Sequence, residues 1–457
     1  MDPQTPLLEN GRVTIVAPAT PTGYSGLAVI RISGEKAWPI ATRIFVPIET
    51  VDKFQANRAY HGRIVTPEKE ETVDDAVVIF FLAPRSYTGE DLVEISTHGN
   101  PLIVERIVKL CTGLGARIAG RGEFTRRALL NNKFDLLQAE AVLDIINAPS
   151  DDTRRLALAQ YEGRLSEVIR GLQSAVVGLL SLVEAAIDFP EEEVTRYDSD
   201  KITGDIRGLA TEIDSLLDGA EAGVKAKAGY RVVILGRTNV GKSTIFNRLL
   251  GFDRAIVHDT PGTTRDYLEE GIQIGGLFVR LTDTAGFLPK PTGAERLAGD
   301  RSQQMAGDAD LVILVFDGSE PLNDQDFQLF GQSQGLEKVL VINKIDLNLK
   351  LKEGDFLADA LKLSARTGEN ISALRTKIAE ALKPVRPRGD LLLTRTRHVQ
   401  TLRDIRLLLN QAQAEIINPE TLAFELHAVQ DRLGELTGQV LRREILDKIF
   451  DEFCIGK

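Results

Sequence analysis

The 457-residue sequence predicts a multidomain fold with three classes of structure: an α+β module at the N-terminus, an all-α helical domain, and an α/β domain inserted within the helical one. Three observations carry this. Short apolar runs separated by Gly and Pro fill residues 1–118. Long helical periodicity sets in near Glu123 and returns after Thr394. Between those helical stretches, strand and helix patterns alternate over 229–383, as in a doubly wound sheet.

In the first segment, Val13 to Ala17, Gly26 to Ile32, Ala76 to Leu82 and Asp91 to Ser96 have the alternation or apolar continuity of strands. Residues 119–228 form the first part of the helical domain. Phe134 to Ile146 and Ser150 to Ile187 give long helices, Pro190 with Glu191, Glu192 and Glu193 breaks the run, and Tyr197 to Lys227 supplies another helix. After Pro384 and Gly389, Thr394 to Glu452 is helical again, with a turn near Asn418 and Pro419. Residues 384–457 are too few to hold a core alone. The economical arrangement packs them on the helices of 119–228 and makes 229–383 an insertion.

Composition narrows the function classes. A net charge of −11 argues against a uniformly basic surface that grips nucleic acid. The densest basic segment, Lys383, Arg386, Arg388, Arg395, Arg397, Arg403 and Arg406, is either a solvated linker and helix face or a local RNA contact. The N-terminus lacks a basic-then-apolar leader and no uninterrupted apolar run has membrane-span length, so a cytoplasmic protein without a membrane role is expected. Cys111 and Cys454 lie too far apart in sequence to suggest a disulfide framework or metal spacing.

The chemistry begins at Gly236-Arg-Thr-Asn239-Val240-Gly241-Lys242-Ser243-Thr244, between the apolar run Arg231 to Leu235 and a helical run to Leu250. Such a loop turns backbone N–H groups inward around phosphates. Its Lys242 reaches the β and γ phosphates, and Ser243 offers a hydroxyl to Mg²⁺. Asp283-Thr284-Ala285-Gly286 follows a strand pattern and supplies an acid near Mg²⁺ and an N–H near the γ-phosphate. Asn343-Lys344-Ile345-Asp346 ends another strand pattern, and the Asp346 carboxylate can accept from both N1–H and the N2 amino group of guanine, a donor pair that adenine lacks. Ser364 and Ala365 stand where a backbone N–H would meet guanine O6. The four elements in this order predict a P-loop GTPase of Ras-like fold rather than an ATPase.

One catalytic part is missing. The residue after Gly286 is Phe287, where Ras-type enzymes carry a water-orienting Gln, and an aromatic side chain can neither orient water nor neutralise charge. Either hydrolysis is feeble, or other groups take over both tasks. The switch-like segment His258-Asp259-Thr260-Pro261-Gly262-Thr263-Thr264 offers Thr264 to Mg²⁺. Carbonyls at His258, Thr260 and Thr263 could join the Asn239 side chain in a K⁺ cage, unless Asn239 only stabilises its turn. Glu295 could orient water, or be an ordinary solvated side chain.

Over essentially its whole length the sequence resembles the bacterial MnmE (TrmE) family of tRNA-modification GTPases. The matching stretches are Thr14 to Ala17, Ala28 to Gly34, Tyr87 to Glu94, Gly122 to Ala128, Lys133 to Ala141, Glu184 to Pro190, the inserted GTPase segment and the terminal Phe453-Cys454-Ile-Gly-Lys457. The resemblance implies a homodimer formed through an N-terminal tetrahydrofolate-binding-like domain, and K⁺-dependent approach of the GTPase domains. It also implies an FAD-dependent MnmG-type partner, with which the family installs an aminomethyl-type group on C5 of the wobble uridine of certain tRNAs. The carbon would come from 5-formyl- or 5,10-methylene-tetrahydrofolate. By the same resemblance the folate contacts fall on Arg31, Glu94, Lys133 and Lys457, the K⁺ ligands on Asn239, His258, Thr260 and Thr263, and the water-orienting carboxylate on Glu295.

Read as residues alone, Arg31, Glu94 and Lys133 could equally be edge charges. Cys454, near the chain end of a thiol-poor protein, suits either chemistry or packing. The chain departs from the family at Tyr24, where Arg is usual, in the stretch after Gly286, and at Ala298, where Gly is common. A ribosome-assembly or regulatory GTPase that binds RNA is the alternative, although no RNA-reading module is evident.

Overall fold

The computed structural model describes residues 13–67, 71–188, 198–251, 269–283, 307–351, 357–382, 393–440 and 442–457. In chain order the elements of its first half are β1 (Ile15–Pro18), β2 (Ser25–Ser33), α1 (Ala37–Ile44), β3 (Phe45–Pro47), β4 (Ala59–Val65), β5 (Thr72–Phe81), β6 (Leu92–Gly99), α2 (Pro101–Gly113), β7 (Arg117–Ile118), α3 (Glu123–Leu130), α4 (Leu136–Ile146), α5 (Asp151–Tyr161), α6 (Arg164–Asp188), α7 (Ser199–Leu217) and α8 (Ala220–Ala228). There follow β8 (Tyr230–Leu235), α9 (Lys242–Leu250), β9 (Glu269–Ile274), β10 (Leu277–Asp283), β11 (Leu311–Asp317), α10 (Asp324–Gln332), β12 (Lys338–Asn343), β13 (Leu361–Lys362), α11 (Ile371–Ala381), α12 (Thr396–Ala414), α13 (Pro419–Thr437) and α14 (Arg443–Asp451). By internal packing the chain divides into two units, Met1–Leu143 with Gly434–Lys457, and Asp144–Leu433.

The first unit is α+β. Its described strands form one sheet in the order β3-β4-β5-β6-β2-β1-β7, antiparallel except for the β1–β7 pair. Alternation along β2 sends Ile30 and Ile32 into the core with Val78, Phe80, Val93 and Ile95, beneath α1 and α2. The residue between them, Arg31, therefore lies on the opposite face, directly across from Glu94 of β6. Helix α2 starts where the Asn100 side chain accepts from Leu102 N–H and Pro101 fills the first turn.

The chain end returns to this unit. Leu446, Ile449, Phe450 and Phe453 pack with Leu129, Leu136 and Leu143, and Ile455 bridges Arg121 in antiparallel fashion. Gly456 has φ 97°, and a Cβ there would lie 1.9 Å from the Pro18 carbonyl oxygen, so only glycine lets the terminus lie against β1.

In the second unit the described strands form a sheet in the order β13-β12-β11-β8-β10-β9, parallel except for β9. Both faces are covered, which is why Val232 to Leu235 of β8 and Leu311 to Phe316 of β11 are continuously apolar rather than alternating. Val232, Ile234, Ile313 and Val315 pack with α9 and α11, whereas Val233, Leu235, Val312, Leu314 and Phe316 pack with Leu329 and Phe330 of α10.

Helices α5 to α8, α12 and most of α13 complete this unit, with α12 lying along α7. The Asp144 carboxylate, almost wholly buried, accepts from Lys227 Nζ at 2.6 Å and from Arg395 at 2.6 Å (Nη2) and 3.1 Å (Nε). Lys227 immediately precedes the sheet and Arg395 immediately precedes α12, so one acid gathers the chain on either side of the α/β region. Of the basic segment singled out in the sequence, Arg395 is thus committed to Asp144, Arg406 to Asp214 at 2.8 Å and Arg403 to Glu221 at 3.8 Å. Lys383, Arg386 and Arg388 lie outside the described residues.

Among the described residues one helix, α6, is long and apolar enough to cross a membrane by length and composition. Its Leu165, Ile169, Leu172, Val176, Leu179 and Val183 recur at helical spacing and are buried within the protein, the pattern of a core helix.

Candidate functional site

Strand β8 delivers the chain into the 236–241 loop, and α9 begins at Lys242. Asn239 adopts φ 64° and Gly241 φ 97°. A Cβ on Gly241 would come within 2.2 Å of Asn343 Nδ2, so this glycine lets a distant side chain reach the loop. Asn343 uses that access by donating from Nδ2 to Val240 O at 2.8 Å. Val240 is buried beneath the loop, whereas Asn239, Ser243 and Thr244 are exposed. The Lys242 ammonium donates to the carbonyls of Gly236 and Arg237, each at 2.8 Å, so it is held across the mouth of the cradle. Burial pulls the Lys242 pKa below the usual lysine value, and the nearby Asp283 carboxylate opposes that shift.

Asp283 ends β10 and is buried, with β10 paired directly to β8. The phosphate loop, which follows β8, and the acid that ends β10 therefore stand at neighbouring strands of one sheet. Among the described residues no three His, Cys, Asp or Glu side chains cluster as a metal cage. A hydroxyl, an acid and substrate phosphates are instead the donor set Mg²⁺ favours.

The base-reading side is assembled from the ends of β12 and β13. Lys344, at φ 67°, donates to Asp317 Oδ2 at 2.6 Å. Burial raises the Asp317 pKa, but hydrogen bonds from Lys344 and Ser319 outweigh it and hold the carboxyl below its usual range. Asp346 accepts from Ser364 Oγ at 2.6 Å and pairs with Arg366 at 2.9 Å. The Ser364 bond foremost, with Arg366 adding to it, keeps Asp346 ionised below the usual carboxylate range. The Ala365 N–H donates to Asn343 Oδ1 at 2.9 Å. Asn343 thus ties the phosphate loop to the base loop, a role that spacing did not disclose.

His258, Asp259, Thr260, Pro261, Gly262, Thr263 and Thr264, together with Thr284, Ala285, Gly286, Phe287 and Glu295, lie outside the described residues. Of the K⁺ set only Asn239 is described, and of the Mg²⁺ set Ser243 and Asp283.

A second cluster occupies the first unit. Arg31 Nε donates to Glu94 Oε1 at 2.7 Å, and the Arg31 guanidinium lies 5.1 Å from the centroid of the Tyr87 ring. Arg31 Nη1 is buried and has no hydrogen-bond partner among the described residues. Lys457 carries a lowered pKa, first through burial and then through the Arg31 charge, with Glu94 and Cys454 opposing the shift, which places all four in one electrostatic neighbourhood. The terminus is anchored there by Phe124 N–H donating to Lys457 O at 3.2 Å. Lys133 stands slightly apart and donates to Pro84 O at 3.0 Å, on the loop that leads to Tyr87. Cys454 is exposed, whereas burial drives the Cys111 thiol up to about 12. The sequence reading missed the frame beneath this cluster. Arg127, buried at 3% exposure, donates to Glu90 at 3.0 Å, Glu123 at 3.0 Å and Val13 O at 2.7 Å. No local pattern marks such a hub.

A doubly wound sheet with a phosphate loop at one strand end and the Asn343-Lys344-Ile345-Asp346 run at another marks a P-loop GTPase domain in the second unit. Comparison with known proteins then places the whole chain. The family described as "MnmE helical domain" matches residues 136–454, and "GTP-binding protein TrmE N-terminus" matches 14–133. The sequence is 37% identical to the tRNA modification GTPase MnmE of Aquifex aeolicus over 451 residues, covering 98% of this chain and 100% of that one. It is 38% identical to the MnmE of Syntrophus aciditrophicus over 454 residues, covering 97% and 99%. The chain belongs to the MnmE family of tRNA-modification GTPases. A structural likeness to the G domain of the FeoB iron transporter of Thermotoga maritima covers 34% of this chain and 99% of that one, at 27% identity and a TM-score of 0.26, and adds nothing to the assignment. The alternative of a ribosome-assembly GTPase is set aside, because the family matches extend well beyond the GTPase region.

Proposed function

We propose that this chain is a K⁺-stimulated GTPase that acts as a cytoplasmic homodimer with an FAD-dependent MnmG-type partner. Together they install an aminomethyl or carboxymethylaminomethyl group at C5 of the wobble uridine of certain tRNAs, drawing carbon from 5-formyl- or 5,10-methylene-tetrahydrofolate. The observation that carries the folate half is the buried Arg31 Nη1, without a hydrogen-bond partner among the described residues, beside Glu94 and Lys457. A folate has carboxylates and a pterin carbonyl for the two cations, and pterin amino and ring N–H groups for Glu94. The fit is one of charge and donor type.

In the GTPase half, Lys242 would exchange its two loop carbonyls for phosphate oxygens, and Asp346, held ionised, would accept from guanine N1–H and N2. Ser243, Thr264 and Asp283 would hold Mg²⁺, and Asn239 with His258, Thr260 and Thr263 would hold K⁺. When bound, these ions neutralise charge developing on the phosphates, K⁺ standing where an arginine finger acts in other GTPases. Glu295 would orient the attacking water in place of Phe287. Domain bounds of 1–118, 119–228, 229–383 and 384–457 belong to the same proposal.

Nucleoside mass analysis of tRNA from cells lacking the protein tests the tRNA role: loss of the C5 substituent is expected, and unaltered wobble uridines refute it. Hydrolysis faster in K⁺ than in Na⁺, with the difference removed by Asn239→Ala, is expected of the cation cage. Equal rates in both salts would sink it.

A further inference from the structure

We infer that Arg248 is a positioning residue for guanine recognition, tying the helix that leaves the phosphate loop to the loop that meets the base. This rests on the expectation that the loop at Ser364 and Ala365 meets the base, and deepens it.

Arg248 lies in the last turn of α9, at the opposite end from Lys242. Its guanidinium donates from Nε to Ala365 O at 2.9 Å and from Nη2 to Arg366 O at 2.5 Å. Two successive carbonyls on one planar fork fix two successive peptide planes, which neither a lysine nor a flexible amide can do equally well. In a trans peptide the N–H points opposite to the C=O of the same plane. Holding Ala365 O toward α9 therefore aims the Arg366 N–H away from α9. The same loop touches Asp346, through Ser364 Oγ on Asp346 Oδ1 at 2.6 Å and Arg366 Nη2 on Asp346 Oδ2 at 2.9 Å.

The Ala365 N–H is already donated to Asn343 Oδ1, whereas the Arg366 N–H has no hydrogen bond among the described residues. Arg248 therefore fixes the Ala365–Arg366 and Arg366–Thr367 peptide planes, and with them the backbone N–H groups this loop can offer to guanine O6. The same contacts close a ring from phosphate loop to base loop and back: Val240 O to Asn343, Asn343 to Ala365, Ala365 to Arg248, and Arg248 along α9 to Lys242.

The test compares the full-length wild type with Arg248→Ala and Arg248→Lys, using three diphosphates as probes. GDP has O6, N1–H and the N2 amino group, inosine diphosphate keeps O6 and N1–H, and 2-aminopurine riboside diphosphate keeps the amino group but has neither O6 nor N1–H. Arg248→Ala is expected to weaken GDP and inosine diphosphate about tenfold each, as for a misaligned hydrogen bond, and to leave 2-aminopurine riboside diphosphate unchanged. Equal weakening of all three, or of none, overturns the proposal. Arg248→Lys, with a point charge in place of the fork, should show the same selectivity at about threefold. Melting without nucleotide identifies an alanine variant that fails to fold, in which case the lysine variant decides by the same criterion. A wild type that binds GDP and the 2-aminopurine analogue equally would show instead that 364–366 does not read O6, and the base-loop assignment itself would fall.

Discussion

The nucleotide site and the Arg31 cluster present opposite cases of how a sequence encodes a site. The phosphate loop is one contiguous run whose function follows from local backbone geometry, with Gly236, Gly241 and the start of α9 within a few residues. The Arg31 cluster draws Arg31 from β2, Glu94 from β6, Tyr87 from the intervening loop and Lys457 from the chain end. A turn around phosphate needs successive N–H groups. A site for a charged ring system needs side chains converging from several directions, which only a folded sheet supplies.

If the two sites are chemically separate, each can be removed alone. Lys242→Ala should lower GTP hydrolysis by about 10² to 10³, the scale for losing one preorganised charge donor, while 5-formyltetrahydrofolate binding by equilibrium dialysis stays unchanged. A matching loss of folate binding would break the comparison.

The reciprocal change comes next in size. Arg31→Ala removes the buried guanidinium and leaves Glu94 without its partner, so folate affinity should fall about tenfold to a hundredfold while GTP turnover is preserved. Unaltered folate affinity would reduce the Arg31–Glu94 pair to a cross-strand contact.

A smaller effect separates Lys457 from Arg31. Burial disfavours the Lys457 ammonium, so the folded chain loses this proton at a lower pH than an ordinary lysine. The sign follows. Raising the pH through that lowered value removes a penalty on the free protein, which gains stability up to the ordinary lysine value of about 10.4. Binding of an anionic ligand runs the other way, because the cation it needs is lost, and affinity should fall severalfold over the same alkaline range. Lys457→Arg, charged throughout, should flatten the fall. An unflattened profile would assign the loss to another group.

The smallest effect concerns the thiols. A maleimide should label Cys454 in the native protein and Cys111 only after unfolding, since Cys111 is buried and its thiol stands at about 12. Rapid native labelling of both would mean that the first unit opens readily.

Much of the fold class was legible because it depends on periodicity. The two-sided burial of β8 and β11 appears as unbroken apolar runs, and the helices as spacing. Asp283, Asn343 and Asp346 were legible because each closes a strand at a fixed offset. Arg127, Arg248 and Asp144 were not, because each acts on groups remote in sequence: Asp144 meets Lys227 and Arg395, and Arg248 meets Ala365. The bond from Ala365 N–H to Asn343 was not legible for the same reason, since it depends on a contact across two strand ends.

By itself, then, the sequence determined that this chain binds a guanine nucleotide, because phosphate and base recognition are written in short runs whose backbone conformation is set by glycine and by strand ends. It also exposed the catalytic vacancy at Phe287. The tertiary structure alone decided that the chain end comes home to β1 beside Arg31, that one buried acid gathers both flanks of the α/β region, and that an arginine at the far end of α9 orients the base loop. The physical reason is common to all three. Contacts between groups 83 or more residues apart have no period, and exist only after the apolar faces have packed.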